Sequence, residues 1–167
     1  MKLNFKKLGV IFNPSEYSDS PYWMKGFAQA PNAIILNGRV RVYFCTRGHP
    51  DANKMYISRL AYVDLNPSNL NVVTISKEPC LSLGSLGEFD EFGTYPVSVL
   101  NQNGSIHAAY GGWTRCESVP FNISIGRSSS GKSILASILD NTLISVCLRV
   151  SNIFELLSSI IFIACNL

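Results

Sequence analysis

One stretch of the sequence satisfies a complete phosphate-binding motif. The run Gly126-Arg-Ser-Ser-Ser-Gly131-Lys132-Ser133 matches the pattern G-x-x-x-x-G-K-[ST] at every fixed position. In such a site, backbone N–H groups surround the phosphates, Lys132 reaches the β- and γ-phosphates, and Ser133 binds Mg²⁺. The motif follows a strand-like Phe-Asn-Ile-Ser-Ile and precedes Ile-Leu-Ala-Ser-Ile-Leu, which is compatible with a helix. Nucleotide binding through Gly126, Gly131, Lys132 and Ser133 is therefore one hypothesis.

The residues around this motif argue against a nucleotide-binding domain. Each further strand–helix–strand unit of such a domain needs about 30 residues, and 34 residues follow Ser133. They include no apolar strand that ends in an aspartate for Mg²⁺, since Asp140 comes seven residues after Ser133, inside the would-be helix. We keep nucleotide binding as an alternative to a Ser/Gly turn between two strands.

Two arginines and a tryptophan are candidate contacts for a sugar or an acidic group. Arg47 and Arg115 each follow a threonine at the end of a strand-like segment, and a guanidinium can hold a carboxylate or phosphate through two parallel hydrogen bonds. Trp113 could stack on a sugar ring and donate a hydrogen bond from its indole N–H. The alternatives are a salt bridge at the sheet edge for the arginines and core packing for Trp113.

The histidines and cysteines are not spaced as a metal site. His49 lies in the loop Gly48-His-Pro50 and His107 lies on a predicted strand, so we interpret both as structural or solvated, and Asp51 as a turn residue. No C-x-x-C pair occurs, so neither a zinc site nor a disulfide scaffold is predicted. We expect no cofactor, no metal, and five reduced thiols: Cys45, Cys80, Cys116, Cys147 and Cys165.

The composition is that of a folded domain followed by a different C-terminal part. Charged residues make up 15% and hydrophobic residues 47% of the chain, which excludes global disorder. The net charge of +3 is too small to predict a nucleic-acid partner. All 12 glycines and all 8 prolines lie in residues 1–133, whereas residues 134–167 carry three charges among mostly apolar residues. We therefore divide the chain into residues 1–133 and an apolar tail, 134–167, that is either a buried helix or a segment without a designed fold, such as a frameshift produces.

The sequence predicts neither export nor a membrane span. The first apolar run, residues 8–12, stops at Pro14, short of the 7–15 residues of a signal-peptide core. In the tail, Arg149 and Glu155 interrupt the apolar residues, and twelve residues follow Glu155, against the about 20 that a helix needs to cross a bilayer. We expect the protein to be cytoplasmic.

Two segments of the chain share one pattern of strands and turns. In the first, Pro31 opens an apolar strand that leads through the turn Asn37-Gly38 into a second, alternating strand, and Pro96 opens the same order with the turn Asn103-Gly104. Asn-Gly accepts the positive φ of a two-residue hairpin turn. The offsets are 65 residues for Pro31 to Pro96, 68 for Arg47 to Arg115 and 66 for Ile57 to Ile123.

The residues between these landmarks supply further strands. Residues 39–44 alternate between polar and apolar side chains with a period of two, and residues 60–65 and 72–75 are short apolar runs separated by an Asn-Pro-Ser turn. Four short antiparallel strands in a unit of about 65 residues describe one blade of a β-propeller, which closes with typically 4–8 blades. We predict an all-β fold: a partial propeller of about two blades, with an exposed apolar blade face that pairs with a second copy or is covered in part by the tail.

The longer motifs resemble a known superfamily. The order GFAQAPNAII…RVYFCTR in residues 26–47 resembles the first blade of glycosidase-like five-bladed propellers, the superfamily of glycoside hydrolase family 43. The runs LGEFDEFGTYP (86–96) and YGGWTR…VPFNISIG (110–126) resemble the second blade. The resemblance covers roughly residues 9–133 and implies a partial five-bladed β-propeller with a sugar site at the axial funnel, built from acidic residues of different blades.

The resemblance also implies roles for acidic residues. Family members use one carboxylic acid to protonate the leaving oxygen and a second carboxylate to activate water or attack the sugar. By its position in the second blade, Asp90 resembles the funnel aspartate that orients substrate and tunes the acid, and Glu91 points to the other side if the segment is extended. The usual first-blade aspartate before a proline is replaced, since the equivalent stretch reads Gln29-Ala-Pro31. A solvated turn is the alternative for residues 89–92.

Taken together, the resemblance implies a truncated glycosidase-like propeller whose ancestral activity is hydrolysis of glycosidic bonds on a carbohydrate. The acid from a later blade has no counterpart here, so we expect this chain to be inactive. A non-catalytic carbohydrate-binding propeller fragment is the alternative. The expected partner is a carbohydrate contacted by Asp90, Glu91, Arg47, Trp113 and Arg115, with no nucleic acid and no membrane.

Overall fold

The computed structural model describes residues 5–102 and 104–130, and this part of the chain contains seven β-strands and no helix. The predicted all-β class is therefore confirmed for these residues. The tail, residues 134–167, and the motif residues Gly131, Lys132 and Ser133 lie outside them. The strands are β1 (Gly26–Leu36), β2 (Arg39–Arg47), β3 (Ser58–Leu65), β4 (Val72–Ile75), β5 (Gly93–Gln102), β6 (Ser105–Thr114) and β7 (Asn122–Ser129).

Strands β1 to β4 form an antiparallel meander, which we call the first unit. The turn between β1 and β2 is Asn37-Gly38, with φ angles of 50° and 71°, and Leu36 pairs with Arg39 across it. Positive φ at both central residues is the type I′ geometry that Asn-Gly favours, because its twist matches that of the flanking strands. All four strands predicted for this unit are present.

Strands β5 to β7 form a second antiparallel meander, the second unit. Gln102 pairs with Ser105 across its hairpin turn, where Gly104 has a φ of 82°. Counted from the two turns, the offset between the units is 66 residues, so Arg47 corresponds to Trp113. Arg115, which the sequence placed at the equivalent strand end, lies one residue beyond β6. A fourth strand of this unit would fall beyond Ser130, outside the described residues.

The two units join in one open sheet through a single parallel pair, Ser58 with Gly93. This pair completes a continuous row of partners across six strands. We call this row the paired row, and we call the end of the sheet where it lies the row end. Closure of the units into a propeller ring stays a prediction. The paired row consists of Gly26, Arg47, Ser58, Gly93, Trp113 and Ile123.

Both faces of the first unit carry apolar side chains that other parts of the described chain bury. On one face, Phe44 packs with Trp23 and Met24 of the segment that precedes β1, and the Trp23 indole N–H donates to the Lys77 carbonyl at 3.1 Å. On the other face, Tyr43 and Leu60 pack with residues of the second unit, including Tyr110. The strands of the first unit therefore bury apolar side chains on both faces.

One charged pair is buried within the first unit. Arg41 of β2 donates two hydrogen bonds to Asp64 of β3, at 2.7 and 2.8 Å, and its guanidinium lies 3.8 Å from the centre of the Tyr62 ring. Burial alone would lower the pKa of Arg41, but the hydrogen bonds and charge of Asp64 outweigh it and raise the pKa. The alternating pattern correctly predicted that Arg41 lies on the other face of β2 from Val40 and Val42, but it did not reveal Asp64 as the partner of Arg41.

The second unit has one covered and one open face. Its covered face carries Val99 and Tyr110, which pack against the first unit. The opposite face, which we call the open face, is assigned from the strand pairing and includes Leu100, His107, Trp113, Ile123 and Ile125. The side chains of Leu100, Ile123 and Ile125 are 48%, 46% and 45% exposed. Whether this is the exposed blade face of an incomplete propeller, and whether it pairs with a second copy, stays a prediction.

Three cysteines lie in the described residues, and all are free thiols. Burial raises the pKa of Cys80 to about 12 and also raises the pKa of Cys45, so both thiols stay protonated at neutral pH. Within residues 5–102 and 104–130, no helix has the length and apolar character needed to span a membrane.

Candidate functional site

An arginine and two aromatic rings meet at the row end of the first unit. The Arg47 guanidinium lies 4.8 Å from the centre of the Phe27 ring and 5.7 Å from that of Tyr56, and the two rings are 5.8 Å apart, edge to face. Arg47 Nε also donates to the Ser58 hydroxyl at 3.3 Å. Among the described residues, Arg47 forms no ion pair with a carboxylate. Its remaining N–H groups are therefore candidate donors to a ligand.

The first half of β1 is irregular where it places Phe27. Its pairing with β2 shifts register twice, between Gly26 and Gln29 and between Gln29 and Asn32. Phe27 and Ala30 have φ angles of 65° and 52°, a left-handed conformation that is uncommon for residues other than glycine. Bulges of this kind redirect side chains and are frequent next to active sites. The irregular segment includes the Gln29-Ala-Pro31 stretch, where the family resemblance expects an aspartate.

A cleft of about 210 Å³ opens beside this group. It is below the about 300–1,000 Å³ of sites for drug-sized ligands, so it suits a smaller group. The basic residues of its lining are Lys25 and His49, and no Asp or Glu is among the described lining. The other lining residues are Gly26, Phe27, Gly48, Pro50 and Tyr56.

Arg115 bridges the two units instead of facing the cleft. Its Nη2 donates to Asp51 Oδ2 at 3.1 Å, and its guanidinium lies 4.0 Å from the centre of the Phe92 ring. The other oxygen of Asp51 accepts the N–H groups of Asn53 and Met55, both at 2.9 Å; these bonds hold the pKa of Asp51 below its usual value. Asp51 is thus a turn residue, as predicted, and also the salt-bridge partner of Arg115.

Trp113 lies in the paired row, packed among aromatic side chains. Its ring centre is 6.0 Å from that of Phe92 and 6.5 Å from that of Phe121, and its indole nitrogen lies against the Cα of Gly93, where a side chain would overlap it. These contacts correspond to the core-packing alternative. A sugar-stacking role for Trp113 stays a prediction.

Asp90 is buried in the turn before β5. The residue is 6% exposed, and its Oδ2 accepts a hydrogen bond of 3.0 Å from the Tyr110 hydroxyl. Burial raises the pKa of Asp90, and the Tyr110 hydrogen bond only partly offsets this effect. The other carboxylate oxygen lies against the backbone of Gly84, where an added Cβ would overlap it. Asp90 therefore holds the 84–91 loop against β6 rather than lining the cleft.

Two further carboxylates fasten the loop beside Asp90. Glu88 Oε2 accepts from the Ser85 N–H at 2.6 Å, and Glu91 Oε2 accepts from the Gly87 N–H at 2.9 Å. The segment is a turn, not the extended chain that would send Asp90 and Glu91 to opposite sides. The charge of Glu88 contributes to the raised pKa of Asp90.

Gly126 belongs to a strand, not to a phosphate-binding loop. Residues 126–129 lie in β7, and Gly126 pairs with Tyr110 while Ser129 pairs with His107. A Cβ at Gly126 would stand 2.6 Å from the Tyr110 ring. Residues 126–129 are therefore extended rather than wound into a loop around a phosphate, and nucleotide binding through Gly126, Gly131, Lys132 and Ser133 stays an untested alternative. The turn suggested here as the alternative is also absent from residues 126–129.

The sequence analysis named Arg47 as a candidate but not Phe27, Tyr56 or Lys25; of these, Phe27 lies on the bulged first half of β1. Of the histidines, His49 lines the cleft, whereas His107 has a buried Nδ1 that has no hydrogen-bond partner among the described residues. In the part of the chain that the structure describes, no group of three or more His, Cys, Asp or Glu side chains could hold a metal ion.

Comparison with known proteins gives a weak likeness of fold. No protein-family model matches the chain, and no curated protein matches it. Among solved structures, it is similar to a glycosyl hydrolase from Bacteroides ovatus, with 17% sequence identity and a TM-score of 0.46. The match covers 64% of this chain and 29% of that one. This protein therefore spans less than a third of the length of that glycosyl hydrolase.

Proposed function

We propose that this glycosidase-like chain binds a carbohydrate in the cleft at the row end and does not hydrolyse it. In this proposal, one sugar ring lies against Phe27 and Tyr56, and Arg47 donates hydrogen bonds to its oxygen atoms. The observation that carries the proposal is the guanidinium of Arg47, held by two aromatic rings beside a cleft and without a carboxylate partner in the described residues.

The chemistry of this group suits a sugar. A sugar ring has apolar C–H faces and a rim of hydroxyl groups, so a site for it combines aromatic area with a few oriented donors. Phe27 and Tyr56 are 44% and 37% exposed, which leaves ring area available for contact. The sequence resemblance, which includes residues 26–47, implies a sugar site at the axial funnel and agrees with a carbohydrate as the ligand.

The described carboxylates support binding without hydrolysis. Glycoside hydrolysis needs two carboxyl groups on either side of the scissile bond. Asp90 is buried against Tyr110, Asp51 is bound to Arg115, and the expected first-blade aspartate is replaced in the Gln29-Ala-Pro31 stretch. None of these residues presents a free carboxylate to the cleft.

A glycan microarray tests the proposal with a matched pair of variants. Arg47→Ala removes the guanidinium beside the cleft, and we expect it to lower binding of the glycans retained by the unchanged protein about tenfold or more, as for the loss of a charged hydrogen bond. Arg39→Ala is the control, because Arg39 lies on the same strand at the opposite end of the sheet. We expect it to bind as the unchanged chain does.

Two results would contradict the proposal. The first is equal glycan binding by the unchanged protein and Arg47→Ala, and the second is the absence of any retained glycan. Incubation of the unchanged chain with aryl glycosides tests the other half of the proposal: we expect no release of the aryl group, and steady turnover would show that the carboxylate set is sufficient.

A further inference from the structure

The cleft at the row end has positively charged side chains and no acidic side chain in its described lining. Lys25 and His49 line it. Arg47 stands beside the lining, with its guanidinium packed on the rings of Phe27 and Tyr56, which both line the cleft. Within residues 5–102 and 104–130, neither Lys25 nor Arg47 forms an ion pair with a carboxylate. A concave site with one sign of charge attracts a ligand of the opposite sign.

Hydrogen bonds hold the two cations next to each other. The backbone N–H of Lys25 donates to the Arg47 carbonyl at 2.9 Å, and the Lys25 ammonium donates to the Ser20 carbonyl at 2.6 Å. Both Lys25 and Arg47 are half-buried. Because each long side chain is already fixed by a contact, a ligand that binds them has less conformational freedom to remove.

Both cations keep donors for a ligand. An ammonium has three N–H groups, and the Ser20 carbonyl occupies one of those of Lys25. Arg47 uses its Nε for the Ser58 hydroxyl, so the four N–H groups on its Nη atoms remain for an anion, which a guanidinium binds in parallel hydrogen bonds. These donors suit an acidic oxygen group better than the hydroxyl groups of a neutral sugar, because hydrogen bonds between charged groups are the stronger ones.

The aspartates nearest in sequence do not neutralise this charge. Asp51, two residues after His49, is paired with Arg115 at 3.1 Å and accepts two backbone N–H groups. Asp19 precedes Ser20, but it is exposed and forms no ion pair with Lys25 in the described structure. The positive charge at the cleft is therefore left for a ligand to balance.

We propose that the carbohydrate bound at the row end carries an acidic group, either a carboxylate or a sulfate. Lys25 and His49 contact this group in the cleft, and Arg47 contacts it at the margin. This inference rests on the proposed carbohydrate binding and adds the class of sugar to it.

Pairs of oligosaccharides that differ only in charge test this inference. One pair is an oligogalacturonate and its methyl ester, and the other is a carrageenan oligosaccharide and its desulfated form. Each pair keeps the same rings and linkages. By titration calorimetry of the full chain, we expect the acidic member of at least one pair to bind about tenfold more tightly than its neutral partner. The pair that shows the preference identifies the acidic group.

Lys25→Gln connects the preference to the cleft. We expect this variant to reduce the preference to about threefold or less, since one charged donor is lost while the amide keeps a donor for the Ser20 carbonyl. A purely structural role of Lys25 would weaken the acidic and neutral members equally. Lys77→Gln is the matched control, because it removes the same charge from an exposed lysine that is not among the described lining, and it should keep the full preference. If Lys25→Gln does not fold, His49→Gln tests the same lining.

The possible failures of this inference and of the proposed function are distinguishable. Equal binding of both members of each pair, or binding of neither pair by a chain that retains neutral glycans on the array, overturns the acidic ligand. The carbohydrate site itself stands in both cases if Arg47→Ala still releases the retained glycans. A chain that retains no glycan of any kind overturns both proposals. A preference that Lys25→Gln and Lys77→Gln leave equally unchanged shows that the acidic group binds elsewhere, and this too overturns the inference.

Discussion

At the scale of single residues, the surroundings of Asp90 determine the direction in which its pKa shifts. Its carboxyl group accepts a hydrogen bond from Tyr110 and is enclosed by the Gly84 backbone. Burial disfavours the charged form and raises the pKa, as in other carboxyl groups removed from water. A group with a raised pKa in the folded state binds a proton more tightly there than in the unfolded chain.

This difference predicts a pH dependence of stability. The contribution of protonated Asp90 is fully present below the unfolded pKa of about 3.9 and is lost as the pH rises through the raised folded value. The unchanged protein should therefore lose unfolding free energy relative to Asp90→Asn as the pH increases from about 4 towards neutrality. Urea denaturation at a series of pH values measures the difference.

Asp19→Asn, the same substitution at an exposed aspartate, serves as the matched control for this series. A constant difference between the unchanged protein and Asp90→Asn would show that the environment of Asp90 does not favour its neutral form.

The sequence indicated which residues are candidates for the site, but it did not indicate which residues they contact. Arg47 and Asp90 were identified as candidates from type and position. The Tyr110 partner of Asp90 is twenty residues away in the chain, and the contact depends on how the 84–91 loop folds over β6. Phe27 was missed because no sequence signal indicates a phenylalanine with a φ of 65°.

At the scale of the elements, the strands of the first unit are joined by a charged pair as well as by backbone hydrogen bonds. Asp64→Ala would leave the Arg41 guanidinium buried without its carboxylate. We expect this change to lower the unfolding free energy by about 3 kcal/mol, since breaking a buried pair costs about 3–5 kcal/mol and Arg41 keeps some contact with water. Urea denaturation at neutral pH measures the loss.

Two variants show whether the pair itself is responsible. Replacing both partners, Arg41→Leu with Asp64→Val, should recover most of the stability, because no unpaired charge remains. Arg39→Ala, at an exposed arginine 4.0 Å from the same carboxylate, should cost less than about 1 kcal/mol. A loss below that value for Asp64→Ala would mean that the pair does not stabilise the sheet.

The strand order within each unit was predictable, because its signals are local. The Asn37-Gly38 turn and the alternation in β2 each depend on a few neighbouring residues. The differing offsets have a structural cause: Val97 is an extra residue in β5 between Pro96 and its turn, so the prolines are 65 residues apart while the turns are 66 apart. The single bridge from Ser58 to Gly93 joins distant segments and left no pattern in the sequence.

At the scale of the whole molecule, two meanders with the same strand order form one open sheet. The paired row crosses both units and brings Arg47, the cleft and the loop with Asp51 to one end. The opposite end holds the two hairpin turns. The proposed ligand site at the row end and the two hairpin turns therefore lie at opposite ends of the sheet and can be probed separately.

The most direct test of the account is to map carbohydrate binding by nuclear magnetic resonance on the full chain, using the glycan that the array retains most strongly. We predict shifts of the backbone amide signals of Phe27, Gly48 and Tyr56 during the titration, with no change at Gly38 and Gly104 in the hairpin turns. Shifts confined to the hairpin turns, or none at any of these residues, would contradict a sugar site at the row end.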